Sequence, residues 1–206
     1  MSPDLIDILA VMDLKELNTQ MALQCAPLFM GIKISNMLIM DLEDTDRVMD
    51  TFRETALSLS ILYASARKVV FLVYDREKLE QYLCKKENQK LLRILGYQEY
   101  ELTSILMELS KRYQGNMQGL KAFPHELGLL LGYPIEDVMG FIVNHGQKSL
   151  YSGYWKVYEN LSEKLLLFEQ YQIAKERLIR LVAQGVSIKY ILSSGMMRDH
   201  ITQPFL

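Results

Sequence analysis

Val69-Val70-Phe71-Leu72-Val73-Tyr74 is the stretch whose reading decides the fold. It is β-branched and aromatic, and it stays apolar at every position, whereas a strand with one wet face alternates. It predicts a strand in the middle of a sheet. Asp75 follows as the N-cap of a helix, and Gly96 ends the next one.

Upstream, the acidic run Asp41 to Asp46 reads as a solvated turn leading into a helix, with Thr45 or Asp46 as N-cap. Val48, Phe52, Ala56, Leu59 and Tyr63 fall at helical spacing and predict its buried stripe. Leu28 to Met40 holds two short apolar runs, separated by Gly31 and by Ser35-Asn36, which read as paired strands. Residues 4–23 read as one or two short helices, and Cys25-Ala26-Pro27 breaks their pattern.

Downstream, Leu102, Ile105, Leu106 and Leu109 mark a helix, and Gly115 to Gly119 reads as a loop. Phe123-Pro124-His125-Glu126 starts a further helix that stops at Gly132; Pro134 starts another that stops at Gly146. Tyr151 to Tyr158 alternates and reads as one strand. Ser162 to Gln184 is a long amphipathic helix ended by Gly185, and Ser187 to Ser194 is a short last one. The sum is an α+β fold: a helix-rich single domain over residues 1–206, packed around a small mixed or antiparallel sheet of about three to five strands.

Composition narrows the function classes. The chain has 206 residues, 50% hydrophobic and 23% charged, with a net charge of −2. Nucleic-acid binding draws its affinity from Lys and Arg on phosphates, so this balance argues against it, and equally against anionic membrane surfaces. The opening residues lack the pattern of a signal peptide, and no apolar stretch approaches the ~20 residues that span a bilayer. A cytoplasmic protein is expected. Cys25 and Cys84 sit in unrelated contexts, which fits neither a disulfide framework nor a zinc site. The 12 methionines are scattered singly rather than arrayed, and no metal ligand set is expected.

Several phrases occur together: Cys25-Ala26-Pro27 with Gly31-Ile32-Lys33, Val73-Tyr74, Phe123-Pro124-His125-Glu126-Leu127-Gly128, Leu131-Gly132-Tyr133-Pro134, Asp137-Val138, Gly140-Phe141 and Gly153-Tyr154-Trp155-Lys156-Val157-Tyr158. In these the chain resembles the bacterial family catalogued as domain of unknown function 3793, from about Cys25 to Gly185, with helical extensions on either side. The resemblance implies a stand-alone cytoplasmic protein of anaerobic Gram-positive bacteria, encoded near flavodoxin or iron-uptake genes. That is a hint of iron or redox physiology without a named reaction. Two stretches depart from the family pattern. Leu28-Phe29-Met30 is larger and less polar than expected, and Leu150-Tyr151-Ser152 lacks a Cys that relatives often carry.

Four constellations bear on function. The helices from His125 to Asn144 place Gly128, Gly132 and Val138 at the small, turn and buried positions of a helix-turn-helix. A recognition helix must offer donors to phosphates and base edges. The second helix instead opens with Glu136 and Asp137 and carries no Lys or Arg before His145, which argues against DNA. His125-Glu126 is the most suggestive chemical pair, although neighbours on a helix point in different directions. Its plain structural use is a helix start. Cys25 could be a nucleophile with His125 as base, or simply a small buried residue. Tyr154-Trp155-Lys156-Val157-Tyr158 places Trp155 on one strand face, against Tyr154, Lys156 and Tyr158 on the other. It is either a core Trp or an aromatic platform for a flavin, heme, nucleotide or peptide.

The preferred expectation is an accessory protein of iron or redox metabolism that binds a small molecule or an unidentified cofactor. Lys33, Tyr74, His125, Glu126, Trp155 and Lys156 would line the pocket, with Cys25 nearby. The rivals are a thiol- or His-dependent hydrolase or transferase, with Cys25, His125 and Glu126 as catalytic candidates, and an interaction module or homodimer. The last rests on Leu165, Leu166, Phe168, Ile173, Leu178 and Leu181, more apolar surface than one helix face needs.

Overall fold

The run that opened the sequence reading is the middle strand of a three-stranded antiparallel sheet, in a computed structural model that describes residues 3–194. Strands β1 (Ser35–Asp41), β2 (Leu57–Ala64) and β3 (Lys68–Asp75) lie in the order β1-β3-β2. The unbroken apolar run has a physical cause. Val69, Phe71 and Val73 point into one core, and Val70, Leu72 and Tyr74 into another, so both faces are covered. Each such side chain, fully buried, contributes about 1.5–3 kcal/mol.

Helices α1 (Pro3–Val11), α2 (Leu17–Phe29) and α3 (Thr45–Phe52) supply the first core, together with α9 (Leu161–Ala183) and α10 (Ile188–Ser193). The second is built from α4 (Arg76–Leu83), α5 (Lys86–Ile94), α6 (Leu102–Met117), α7 (Leu127–Leu130) and α8 (Ile135–Val143). A separate hairpin, β4 (Tyr151–Ser152) with β5 (Lys156–Val157), joins α8 to α9. Asp75 is a cap as expected, whereas Thr45 and Asp46 already lie inside α3, whose N-cap position is Asp44. The Asp75 carboxylate accepts from the Lys78 amide at 3.2 Å, and Ser187 caps α10.

Several expectations are corrected. Pro27 does not break α2; the helix runs through it to Phe29, and the Pro27 carbonyl then accepts from the Ile32 and Lys33 amides. Leu28 and Phe29 are therefore helical, and β1 pairs with β3 rather than with a neighbour in sequence. The helical stripe from Val48 stops at Phe52. Leu59 and Tyr63 lie on β2, where the Leu57-Ser58-Leu59-Ser60 alternation was the stronger signal. A register shift between Ile61 and Tyr63 lets Leu57 and Leu59 face the first core and Leu62 and Tyr63 the second. Gly115 lies inside α6, not in a loop.

The Pro124 segment is a turn preceding a four-residue helix, too short to present a helix-turn-helix face. Tyr151 to Tyr158 is a hairpin rather than one strand, because Gly153 turns the chain and its amide donates to the Trp155 carbonyl at 3.0 Å. The short last helix ends at Ser193; residues 195–206 of the single-domain reading lie outside the described residues. Among the described residues, no helix is long and apolar enough to cross a membrane.

Candidate functional site

A cleft of about 300 Å³ opens between the Pro124 turn, α8, the hairpin and the edge strand β1. Its walls are Phe123 and His125 from the turn, Tyr133 and Phe141 from the helix pair, and Trp155 and Lys156 from the hairpin. Met37 of β1, with Leu127, Leu131 and Val138, forms the aliphatic lining.

Local sequence explains why these segments meet. Gly132 has φ +69, and a Cβ there would come within 2.6 Å of Ile34, so the chain can turn tightly against β1 only at a glycine. The Ser35 hydroxyl bonds the Leu130 carbonyl and fastens α7 to the same strand. Asp137, in the first turn of α8 and 2% exposed, holds the hairpin. Its Oδ2 accepts from the Trp155 indole nitrogen at 2.7 Å, and its Oδ1 accepts from the Tyr158 and Glu159 amides at 2.7 and 3.3 Å. One carboxylate thus satisfies three donors and complements the α8 dipole.

Trp155 is held by its aromatic neighbours. It stacks on Tyr133 with centroids 4.8 Å apart and meets Phe168 edge-on at 4.6 Å. His125 is half-buried between Phe123 and Phe141, with ring centroids 5.8 and 5.3 Å away. Among the described residues nothing hydrogen-bonds its imidazole, and the residue lines the cleft. The Lys156 ammonium donates to the Gly146 carbonyl and lies 6.0 Å from the Phe141 ring centroid.

The sequence-predicted residues are divided by the structure. His125, Trp155 and Lys156 line one cleft. Glu126 turns away from His125 into a buried network, accepting from the Tyr97 hydroxyl and from Arg112, each at 3.0 Å. Tyr74 is buried in the second core, its hydroxyl 3.4 Å from that of Ser60. Lys33 is 8% exposed; its ammonium donates to Asn36 at 2.7 Å and lies 5.1 Å from the Tyr133 ring centroid. Burial pulls its pKa down to about 8, opposed by the Cys25 sulfur.

Cys25 is fully buried in the first core, its sulfur 3.7 Å from the Met37 carbonyl and from the Asn36 amide nitrogen. Burial pushes the thiol up to about 12, against the Asn36 hydrogen bond and the Lys33 charge. A thiol held protonated is the opposite of an activated nucleophile. The sequence reading missed Phe123, Tyr133 and Phe141 as cleft residues. Among the described residues, no group of three or more His, Cys, Asp or Glu side chains could hold a metal ion.

The model of the family described as "Protein of unknown function (DUF3793)" matches residues 21–192 of the chain. The chain belongs to that family. The DUF3793 region runs from within α2 into α10 and contains the whole cleft. No curated protein and no solved structure matches the chain.

Proposed function

We propose that this DUF3793 protein is a binding protein for a small planar molecule, held in the cleft between the Pro124 turn and the Trp155 hairpin. One observation carries the reading. His125, a polar group with no hydrogen-bonding partner among the described residues, stands in a wall of four other aromatic rings: Phe123, Tyr133, Phe141 and Trp155. Apolar clefts with a few converging polar groups are the usual form of ligand sites, and about 300 Å³ is the lower end of their range. That volume suits a single ring system better than a whole dinucleotide or heme. Contact with the Phe141 ring would supply affinity, and the His125 nitrogens would supply orientation. The gene neighbourhoods that the family resemblance implies are the reason for setting this accessory role in iron or redox metabolism.

Gentle purification followed by native mass spectrometry and an absorbance spectrum tests the proposal. The expected result is a bound species of low mass, with an aromatic absorbance band, that leaves on denaturation. A native mass equal to that of the bare chain, together with no binding across a panel of planar aromatic compounds, would overturn it.

Self-association is a second reading, favoured by the exposure of Leu165, Leu166 and Ile173 on α9, at 41%, 62% and 60%. Size-exclusion chromatography with light scattering decides it: a dimer mass is expected, and a monomer mass at all concentrations ends it.

A further inference from the structure

The charges around the cleft do not balance. Lys156 lines it, and Lys33 lies over the ring of its Tyr133 wall. Among the described residues neither ammonium has a carboxylate partner. Lys33 has the neutral amide of Asn36, and Lys156 has the carbonyl of Gly146. Asp137, the one carboxylate in the lining among the described residues, keeps its charge but gives its oxygens to the Trp155 indole and two backbone amides, so two ammoniums stand against one carboxylate that pairs with neither. Its neighbour Glu136 is paired with Lys164 at 2.8 Å. Positive charge taken out of water without a counter-charge is costly, and a site that keeps it gains when an anion arrives.

We infer that the cleft takes a planar ring system bearing a negative charge, such as an aromatic carboxylate, with the anion set toward Lys156 and the ring against Phe141. This inference rests on the binding reading above and narrows its ligand class. Lys156 uses one of its three donors on Gly146, so two are free to meet the anion. Lys33 acts from behind the Tyr133 ring, as a field rather than as a contact. Its depressed pKa is the mark of an amine buried without compensation, and a bound anion would relieve that.

Calorimetric titration of the intact protein with naphthoate and with naphthamide tests the inference, because the two share ring and shape and differ in charge. Naphthoate is expected to bind about tenfold more tightly or better, the equivalent of one added ionic contact. In Lys156→Gln, which removes the charge, that preference is expected to shrink to the part that the Lys33 field supplies. Equal affinities for the two compounds in the native protein would overturn the anion inference and leave the cleft reading standing. Binding of neither compound would overturn both. If Lys156→Gln does not fold, the comparison in the native protein decides alone.

Discussion

Trp155 donates its indole hydrogen to Asp137 at 2.7 Å, across 18 residues of sequence. This bond connects the hairpin to the first turn of α8 and so fixes two walls of the cleft against each other. The same carboxylate anchors the Tyr158 and Glu159 amides. Asp137→Ala would orphan the buried indole donor and free the hairpin exit. A loss of about 2–4 kcal/mol is expected by urea unfolding, with Asp137→Asn in between, because an amide presents one donor toward another. An unchanged midpoint in Asp137→Ala would show that the hairpin is held by other means.

Gly140 bears on the same joint. A Cβ on it would collide with the ring of Tyr158, whose hydroxyl is buried without a hydrogen-bond partner. Gly140→Ala is expected to cost about 1–3 kcal/mol through overpacking, although alanine is the better helix former. A rise in thermal midpoint for this variant would contradict the packing at that contact.

The two cysteines give a chemical readout. Cys84 is exposed and Cys25 is buried, with its thiol pushed up to about 12. Ellman's reagent should report a single fast thiol in the native protein and both after denaturation. Fast reaction of both in the native state would show that Cys25 is accessible, and would reopen the thiol-enzyme reading.

Alkaline pH should unfold the protein through its buried tyrosines. Burial raises Tyr82 to about 12, and it raises Tyr97 and Tyr171 further, with Glu126 adding to Tyr97. These folded-state values lie above the ordinary ~10 of the unfolded chain, so the native state binds the protons more tightly. The stability they contribute is complete below pH ~10 and falls as pH rises toward the folded values. A spectrophotometric titration should show a late group of tyrosines ionising together with unfolding. A smooth curve of all 12 tyrosines near the ordinary value, with the fold intact, would refute this.

The buried network beside the site makes a separate prediction. Glu126 is 2% exposed and is the partner of both Tyr97 and Arg112. Glu126→Ala leaves the buried Tyr97 hydroxyl without its acceptor, while Arg112 keeps Glu108 at 2.8 Å, and is expected to destabilise by about 1–3 kcal/mol. Naphthoate affinity should change little, because Glu126 points away from the cleft. A selective loss of binding with full stability would place Glu126 in the site after all.

The legible parts of the sequence were those with a local physical signature. The unbroken Val69–Tyr74 run disclosed the central strand because covering on both faces removes alternation. Asp75, Gly132 and Pro134 disclosed helix boundaries because cap and turn chemistry is local. β2 was obscured because Val48, Phe52, Ala56, Leu59 and Tyr63 happen to fit a helical period across a helix end at Phe52. Pro27 misled because a proline at the last turn of a helix costs only one bond, which the surrounding core outweighs. The cleft was half visible. His125 and Trp155 stood out by residue type, whereas Tyr133 and Phe141 acquire their place only from how α7, α8 and the hairpin pack. Glu126 was misplaced because the direction of a side chain in a turn depends on contacts remote in sequence, here with Tyr97 and Arg112.

The central claim is that the cleft beside Trp155 binds a planar ligand, and the chain's single tryptophan permits a direct reading. The Nε1–H cross-peak of Trp155 in a ¹⁵N-correlated NMR spectrum, followed while planar aromatic compounds including naphthoate are added, reports on that wall alone. The account predicts a saturable shift of this peak at the concentrations where calorimetry shows binding. A stationary indole peak while those compounds bind, or while none of them binds, would contradict it.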